Sequence, residues 1–253
     1  MTYRPLRHSR TIPGAFVRQE IHKGDTFVFG VDTYTVGRGI PKLSWIILEH
    51  EPKTHKLLLL SRQILIIDSF TDRSENSTWA TSYARRFLNT DFMREAFTDT
   101  LMARICTTDV PNDEKNEFGV SGGTNTKDQI FLLSRSEYYR YRDVIPDNMT
   151  IPPYIMIGRF KNEYFLPESE QEKHSRQYRD LDEFHDDASD DSDTRWPQVS
   201  ARSFFSTVGW WLRTPGVGEG EFMYVDRYSE VSSHGMNGVF AVHGYRPAMW
   251  LKF

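Results

Sequence analysis

The segment LSWIILEHEPKTHKLLLLSRQIL holds two short apolar runs, Trp45–Leu48 and Leu57–Leu60, on either side of the turn-forming stretch EPKTH. Runs this short fit strands better than helices, and a continuous run such as KLLLLS fits a strand buried on both faces. The pair predicts a hairpin whose second strand is central to a sheet. A strand of that kind needs cover on both sides, so the rest of the chain has to supply it. With 253 residues and 38% hydrophobic content the chain can do so, as one generous domain or two small ones. Aromatic residues make up 14%, including six Trp and seventeen Phe, which points to β structure with large flat side chains in its core. A single cysteine, Cys106, excludes an internal disulfide framework and any zinc site built on paired thiolates. At the end of an apolar helix, with no histidine beside it, Cys106 reads as a buried, inert thiol.

The net charge of −4 is unevenly placed. From Glu168 to Asp193 eleven acids face only Lys173, Arg176 and Arg179, a local −8 that leaves +4 elsewhere. Few apolar residues and no period mark this stretch, at about 168–195, as a flexible acidic insertion. Residues 1–23 form a basic arm in which Arg4, Arg7, Arg10, Arg18 and Lys23 face only Glu20. The arm reads as a solvated tail or as a contact for phosphate or for an acidic partner. Arm and insertion together also offer a charge-driven route to self-association. Neither a signal-peptide h-region nor a membrane-length apolar stretch occurs, so the expected compartment is the cytoplasm, with a removed leader or another export route left open.

Other elements follow the same logic. DTFVFGVDTYTV alternates around Gly30 and predicts a hairpin turning at GVD. In NSTWATSYARRFLN, Trp79, Tyr83 and Phe87 recur four apart on one helical face, with Ser77 or Thr78 as cap and Asn89 where a helix commonly ends. A second helix is expected across TDTLMARI, and DQIFLLS reads as a buried strand. Ser134 and Glu137 have capping-box spacing ahead of a short helix, RSEYYRYR. Four further strands are expected at GWWLRT, EFMYVDR, GVFAVH and YRPAMWL.

No compact catalytic motif is present in the sequence: there is no Gly-x-Ser-x-Gly, no His-Glu-x-x-His, and GVGEGE lacks the Lys-Ser/Thr of a phosphate loop. Arg213 and Arg246, inside aromatic strands, call for buried partners such as Asp128 or Glu137, although a planar guanidinium also suits an anionic ligand. Carboxylates crowd around His185 at a density that attracts calcium, but without the order of acids and the glycine of an EF-hand, so a solvated loop is the plainer reading.

Five segments in order, SWIILEH…KLLLLS, STWATSYARRFLN, TKDQIFLLSRSEYY, WWLRTPG and GYRPAMWL, resemble a widespread bacterial domain family of unknown function, known mostly from gut bacteria. Its members carry a "WwLRSpG" strand and close on "GVRPAlWl". The resemblance runs from about Gly24 to Leu251; Tyr245 stands where Val is usual, Thr214 where Ser is usual and Phe87 where Trp is usual. The family in turn resembles C-type-lectin-like folds, including the formylglycine-generating-enzyme class and the variable receptors of diversity-generating retroelements. The resemblance implies an α+β fold with mixed and antiparallel sheets, two to three short helices and long loops, in a single domain over residues 24–253. It implies a structural role for Trp45, Trp79, Arg85, Asn89, Asp128, Glu137, Trp211, Arg213, Tyr245, Arg246 and Trp250, with the terminal strand stitched into a sheet beside early strands. The lone cysteine counts against the paired-cysteine oxidase chemistry of the first class.

In the retroelement-diversified relatives the loop before the closing strand displays variable ligand-binding residues. Here that loop is VDRYSEVSSHGMNG, and with Trp210 and the PGVGEGE turn it gives a candidate binding face of Tyr228, Ser229, Ser232, Ser233, His234, Met236 and Asn237. Aromatic and small polar side chains are the mix that adaptable surfaces use, and also the ordinary content of a polar hairpin loop. The expected function is non-enzymatic recognition of a protein or glycan, with no cofactor beyond calcium at the acidic loop, and nucleic acid is not the expected partner. The alternative is an enzyme on the same scaffold, metal-assisted through groups such as His185 or His243.

Overall fold

The computed structural model describes residues 20–31, 42–72, 77–112, 115–146, 156–157 and 209–253. The basic arm up to residue 19, the acidic insertion and His185 therefore lie outside the described residues.

The strands, in chain order, are β1 (Thr26–Val31), β2 (Lys42–Glu51), β3 (Lys56–Ser61), β4 (Ile66–Asp68), β5 (Thr108–Val110) and β6 (Thr126–Asp128). They continue with β7 (Met156–Ile157), β8 (Trp210–Pro215), β9 (Glu221–Val225), β10 (Met236–Asn237), β11 (His243–Tyr245) and β12 (Ala248–Lys252). One antiparallel sheet has the order β1-β2-β3-β12. A second, mixed sheet has the order β10-β9-β8-β11-β4-β7, with parallel pairing of β8 to β11 and of β4 to β7. β5 and β6 form a separate pair. The helices are short: α1 (Tyr83–Phe87), α2 (Met93–Ala96), α3 (Asp99–Met102) and α4 (Arg135–Tyr141). This is an α+β architecture.

The β2–β3 hairpin turns where the sequence predicts, and β3 lies inside its sheet with Leu57 to Ser61 buried. Cover comes from both directions, because Trp45, Trp79, Trp210 and Trp211 are all essentially inaccessible and belong to one continuous core. Three of these indoles have their N–H satisfied inside it: Trp45 by the Phe29 carbonyl, Trp79 by Asp128 and Trp211 by the Asp68 carbonyl. Burying an indole without such an acceptor leaves a costly unpaired donor.

The last ten residues join the two sheets. β11 pairs with β4 in the second sheet, the chain then passes through Arg246 and Pro247, and β12 pairs with β3 in the first. Proline falls between two strands, where no ladder donor is needed, and its carbonyl accepts from Ser61 N at 2.8 Å. The free side of β12 is closed by single bridges from Ile105 and Phe131, so the terminal strand leaves no open edge there.

Several expectations need correction. Gly30 does not sit in a turn: it lies within β1 at φ +85°, at a register shift between Val28 and Val31, and β1 pairs with β2. A glycine in the left-handed region is what a bulge of this type requires. Asn89 does not end a helix either. The chain continues from α1 through a π turn, Leu88–Phe92, into α2, while the Asn89 amide donates to the Ile130 carbonyl and its oxygen accepts from Gln129 N and Ile130 N. DQIFLLS is buried but makes only one bridge, Phe131 to Ala248, beyond β6. GVFAVH contributes only its last residue to a strand, β11. Cys106 is half-buried.

Candidate functional site

Arg213 and Arg246 occupy the interior. Arg213 makes a forked pair with Glu137, bonding Oε1 at 2.9 Å and Oε2 as well, and donates to the Leu132 carbonyl at 2.7 Å. Burial pushes the Glu137 carboxyl up, but the charge and hydrogen bonds of Arg213, with those of Ser134, outweigh it and hold the group below the usual carboxylate range. Asp128 serves a different cation: it accepts from Arg85 Nε at 2.7 Å, from Trp79 and from Thr126. Arg246 has a carbonyl cradle, donating to Ser61 O from Nε and Nη2 at 3.1 and 3.0 Å, and its guanidinium lies 4.9 Å from the Trp210 ring centre. Burial lowers its pKa to about 10, which leaves it charged near neutrality. Tyr245 is buried and donates to the Ser69 carbonyl. These arginines hold strands together and offer no open fork to an anion.

The connection from β9 to β10 is organised by Asp226. Its Oδ1 accepts from Tyr228 N at 2.8 Å and Glu230 N at 2.9 Å, and Asp226 N donates to the Glu230 carbonyl at 2.8 Å. The fold of this turn forces Ser229 to φ +63°, buries it, and presents its carbonyl to Tyr138 OH on α4 at 2.7 Å. Arg142, the residue that follows α4, fixes Glu230 at 2.8 Å. Farther on, Ser232 exchanges bonds with Tyr224, its N donating to the Tyr224 carbonyl and its Oγ accepting from Tyr224 N. Gly235 sits at φ +89°, where a Cβ would lie 2.8 Å from the Phe222 carbonyl and 2.9 Å from Gly216 Cα. Only glycine lets the loop descend this closely onto β9 and the PGVGEGE turn. That turn is tied in by Val217 N to the His234 carbonyl and by Asn116 to the Pro215 and Gly216 carbonyls.

On this frame Tyr228 is 67% exposed, with Arg227 bonded to its hydroxyl, and Met236 is 42% exposed. Ser233 and His234 are exposed too, joined by a bond from hydroxyl to ring nitrogen at 2.7 Å. Ser232 and Asn237 are half-buried and spend their polar atoms on the loop: Asn237 Oδ1 accepts from Val239 N and Phe240 N. Trp210 lies apart from this surface, buried against Tyr138 and Arg246. Two further exposed aromatic residues were not among those singled out from sequence. Phe240 is 71% exposed, and Phe118, stacked on His234 with ring centres 6.4 Å apart, comes from a distant polar loop. Nothing in local pattern distinguishes Phe240 from a strand residue.

His243 lies beneath. It is buried between Tyr224, stacked at 4.1 Å, and Trp211, edge-on at 4.6 Å. Its Nδ1 accepts from Gly209 N at 3.1 Å, which puts the proton on Nε2, 3.2 Å from Met236 Sδ. Both nitrogens are engaged, and burial pushes the imidazole down to about 4. Among the described residues no group of three or more His, Cys, Asp or Glu side chains is placed to hold a metal ion.

A family model described as a domain of unknown function, DUF6273, matches residues 54–253. The chain belongs to that family. The DUF6273 match takes in the loop, α4 and β12, but begins in the turn between β2 and β3, so β1 and most of β2 precede it. No curated protein and no solved structure matches the chain. Among the described residues no helix is long and apolar enough to cross a membrane.

Proposed function

We propose that this DUF6273 chain is a non-enzymatic recognition module with a C-type-lectin-like fold, binding a protein or glycan ligand through its C-terminal loops. The reading rests on one observation above all: a loop locked by its own backbone bonds and by α4 holds Tyr228 and His234 exposed, and Met236 on β10 and Phe240 just beyond it are exposed as well. A pre-ordered loop loses little conformational entropy on binding, and aromatic side chains supply contact area at low cost in rotamers. Exposed apolar side chains in numbers mark interaction surfaces on soluble proteins. The exposed apolar side chains of Met236, Phe240 and Phe118 favour a protein ligand over a glycan. The return of the terminal strand to pair beside β3 is in keeping with the lectin-like fold, and the loop's place before that strand with the diversified receptors.

The test is capture from bacterial and host-cell extracts and on a glycan array by the full chain. A variant carrying Tyr228→Ala, His234→Ala and Phe240→Ser serves as control. All three side chains are exposed, so the variant keeps the wild-type melting temperature. Protein partners captured by the wild type, identified and confirmed as purified components, should be lost by the variant, whereas a glycan held equally by both proteins is bound away from the loop. Equal capture by both proteins removes the loop from the binding face.

A further inference from the structure

A second concave surface lies on another face of α4. Tyr138 and Arg142, four residues apart, turn to the C-terminal loop, whereas Glu137, Arg140 and Tyr141 line a groove of about 180 Å³ together with β5 and the first sheet. Its floor is Leu58 and Trp250, which are directly paired across β3 and β12 and so point to the same side of the sheet. Trp250 is only half-buried, unlike Trp45, Trp79, Trp210 and Trp211, and among the described residues its indole N–H has no hydrogen-bond acceptor. Asp109 rises from the β5 side, its side chain 84% exposed.

Each charge around this groove is already answered by the protein. Arg213 neutralises Glu137, Glu49 lies 3.1 Å from Arg140, and Lys127 lies 3.7 Å from Asp109. A ligand bringing net charge would find no uncompensated partner, while the carboxylates keep spare lone pairs and Arg140 keeps spare N–H donors. The groove thus presents an aromatic plane bordered by both donors and acceptors. Its volume is below that of sites for drug-sized ligands, about 300 Å³ and upward, and suits one ring.

We propose that the groove between α4 and β5 binds a neutral, polyhydroxylated ring, a single pyranose unit, stacked on Trp250 with its hydroxyls on Asp109, Glu137 and Arg140. A pyranose has an apolar C–H face for the indole and a hydroxyl rim that both donates and accepts, matching floor and walls. The site does not depend on the C-terminal loop being a recognition face.

The full chain is titrated with glucose, galactose, mannose and N-acetylglucosamine, and with the charged analogues glucuronate and glucosamine, by calorimetry and tryptophan fluorescence. At least one neutral sugar should bind saturably, and Trp250→Ala should weaken it roughly tenfold or more. Because Trp250 also packs on the core, Asp109→Ala, at an exposed position, is the second variant and should weaken the same sugar by roughly threefold or more. Tyr228→Ala should leave sugar binding unchanged. The proposal is overturned if no neutral sugar binds, if a charged analogue binds more tightly, if Asp109→Ala has no effect, or if Tyr228→Ala abolishes binding.

Discussion

His243 joins the core to the candidate face, since its ring accepts from Gly209 and approaches Met236. Its pKa is depressed from 6.5 to about 4 by burial, so between those values the unfolded chain takes up a proton that the folded chain refuses. Stability therefore rises with pH across this window: the contribution is fully present above about pH 6.5 and is lost as pH falls toward 4. Between pH 7 and pH 5 the loss amounts to about 2 kcal/mol. Urea unfolding at both pH values should show that loss in the wild type and a correspondingly smaller one in His243→Phe, which lacks the titrating group; equal losses would exclude His243 as the source. Individual roles of this kind were unevenly legible. That an arginine within WWLRT needs a buried acceptor follows from charge burial alone. The choice between Asp128 and Glu137 does not, because it depends on α4 standing beside β8, a long-range fact with no local signature. The burial of Trp210 was hidden for the same reason: alternation along a strand says which residues share a face, not which face is covered.

Among the elements, α4 shows how much a short helix can carry when its cap is also part of the core. Ser134 Oγ accepts from Glu137 N, and Glu137 returns a bond to Ser134 N at 2.8 Å while gripping Arg213. Ser134→Ala removes the cap and a hydroxyl bond to Ser136 and should cost about 1 kcal/mol. Glu137→Ala leaves a buried guanidinium uncompensated as well and should cost roughly 3 kcal/mol or more. Chemical denaturation of the two variants measures this gap directly, and similar losses would mean that the ion pair adds nothing to the cap. The capping box was legible because its two residues stand three apart and both bonds are local. The π turn in the preceding helical segment was not. Asn89 carries an ordinary helix-ending signal, but its amide and carbonyl are taken by the backbone of residues 129 and 130, and that tertiary demand keeps the helix going. The apolar run in DQIFLLS reports burial, whereas ladder pairing depends on neighbours that a run cannot reveal.

The two sheets are held by a chain whose first and last described strands lie in the same one. β2 brings Trp45 and Leu48, both inaccessible, against the core, and its pairing with β3 leaves β3 with a partner on each side, β2 and β12. The match to DUF6273 begins at Thr54, after both β1 and β2. The limit of the folded unit lies earlier, since a chain of residues 54–253 would expose the hydrogen-bonding edge and apolar face of KLLLLS. Unpaired apolar edges of this kind pair with one another. The aromatic contact of Trp45 with Phe97 would be lost too, and with it part of the packing that holds α2 to β1 and β2. Residues 54–253 produced alone should therefore lack a cooperative thermal transition and aggregate, whereas residues 20–253 should melt in a single transition near that of the full chain. A cooperative, monomeric 54–253 fragment would show that β12, α4 and the second sheet suffice to hold β3, and that β1 and β2 are an addition to the fold and not a part of its core.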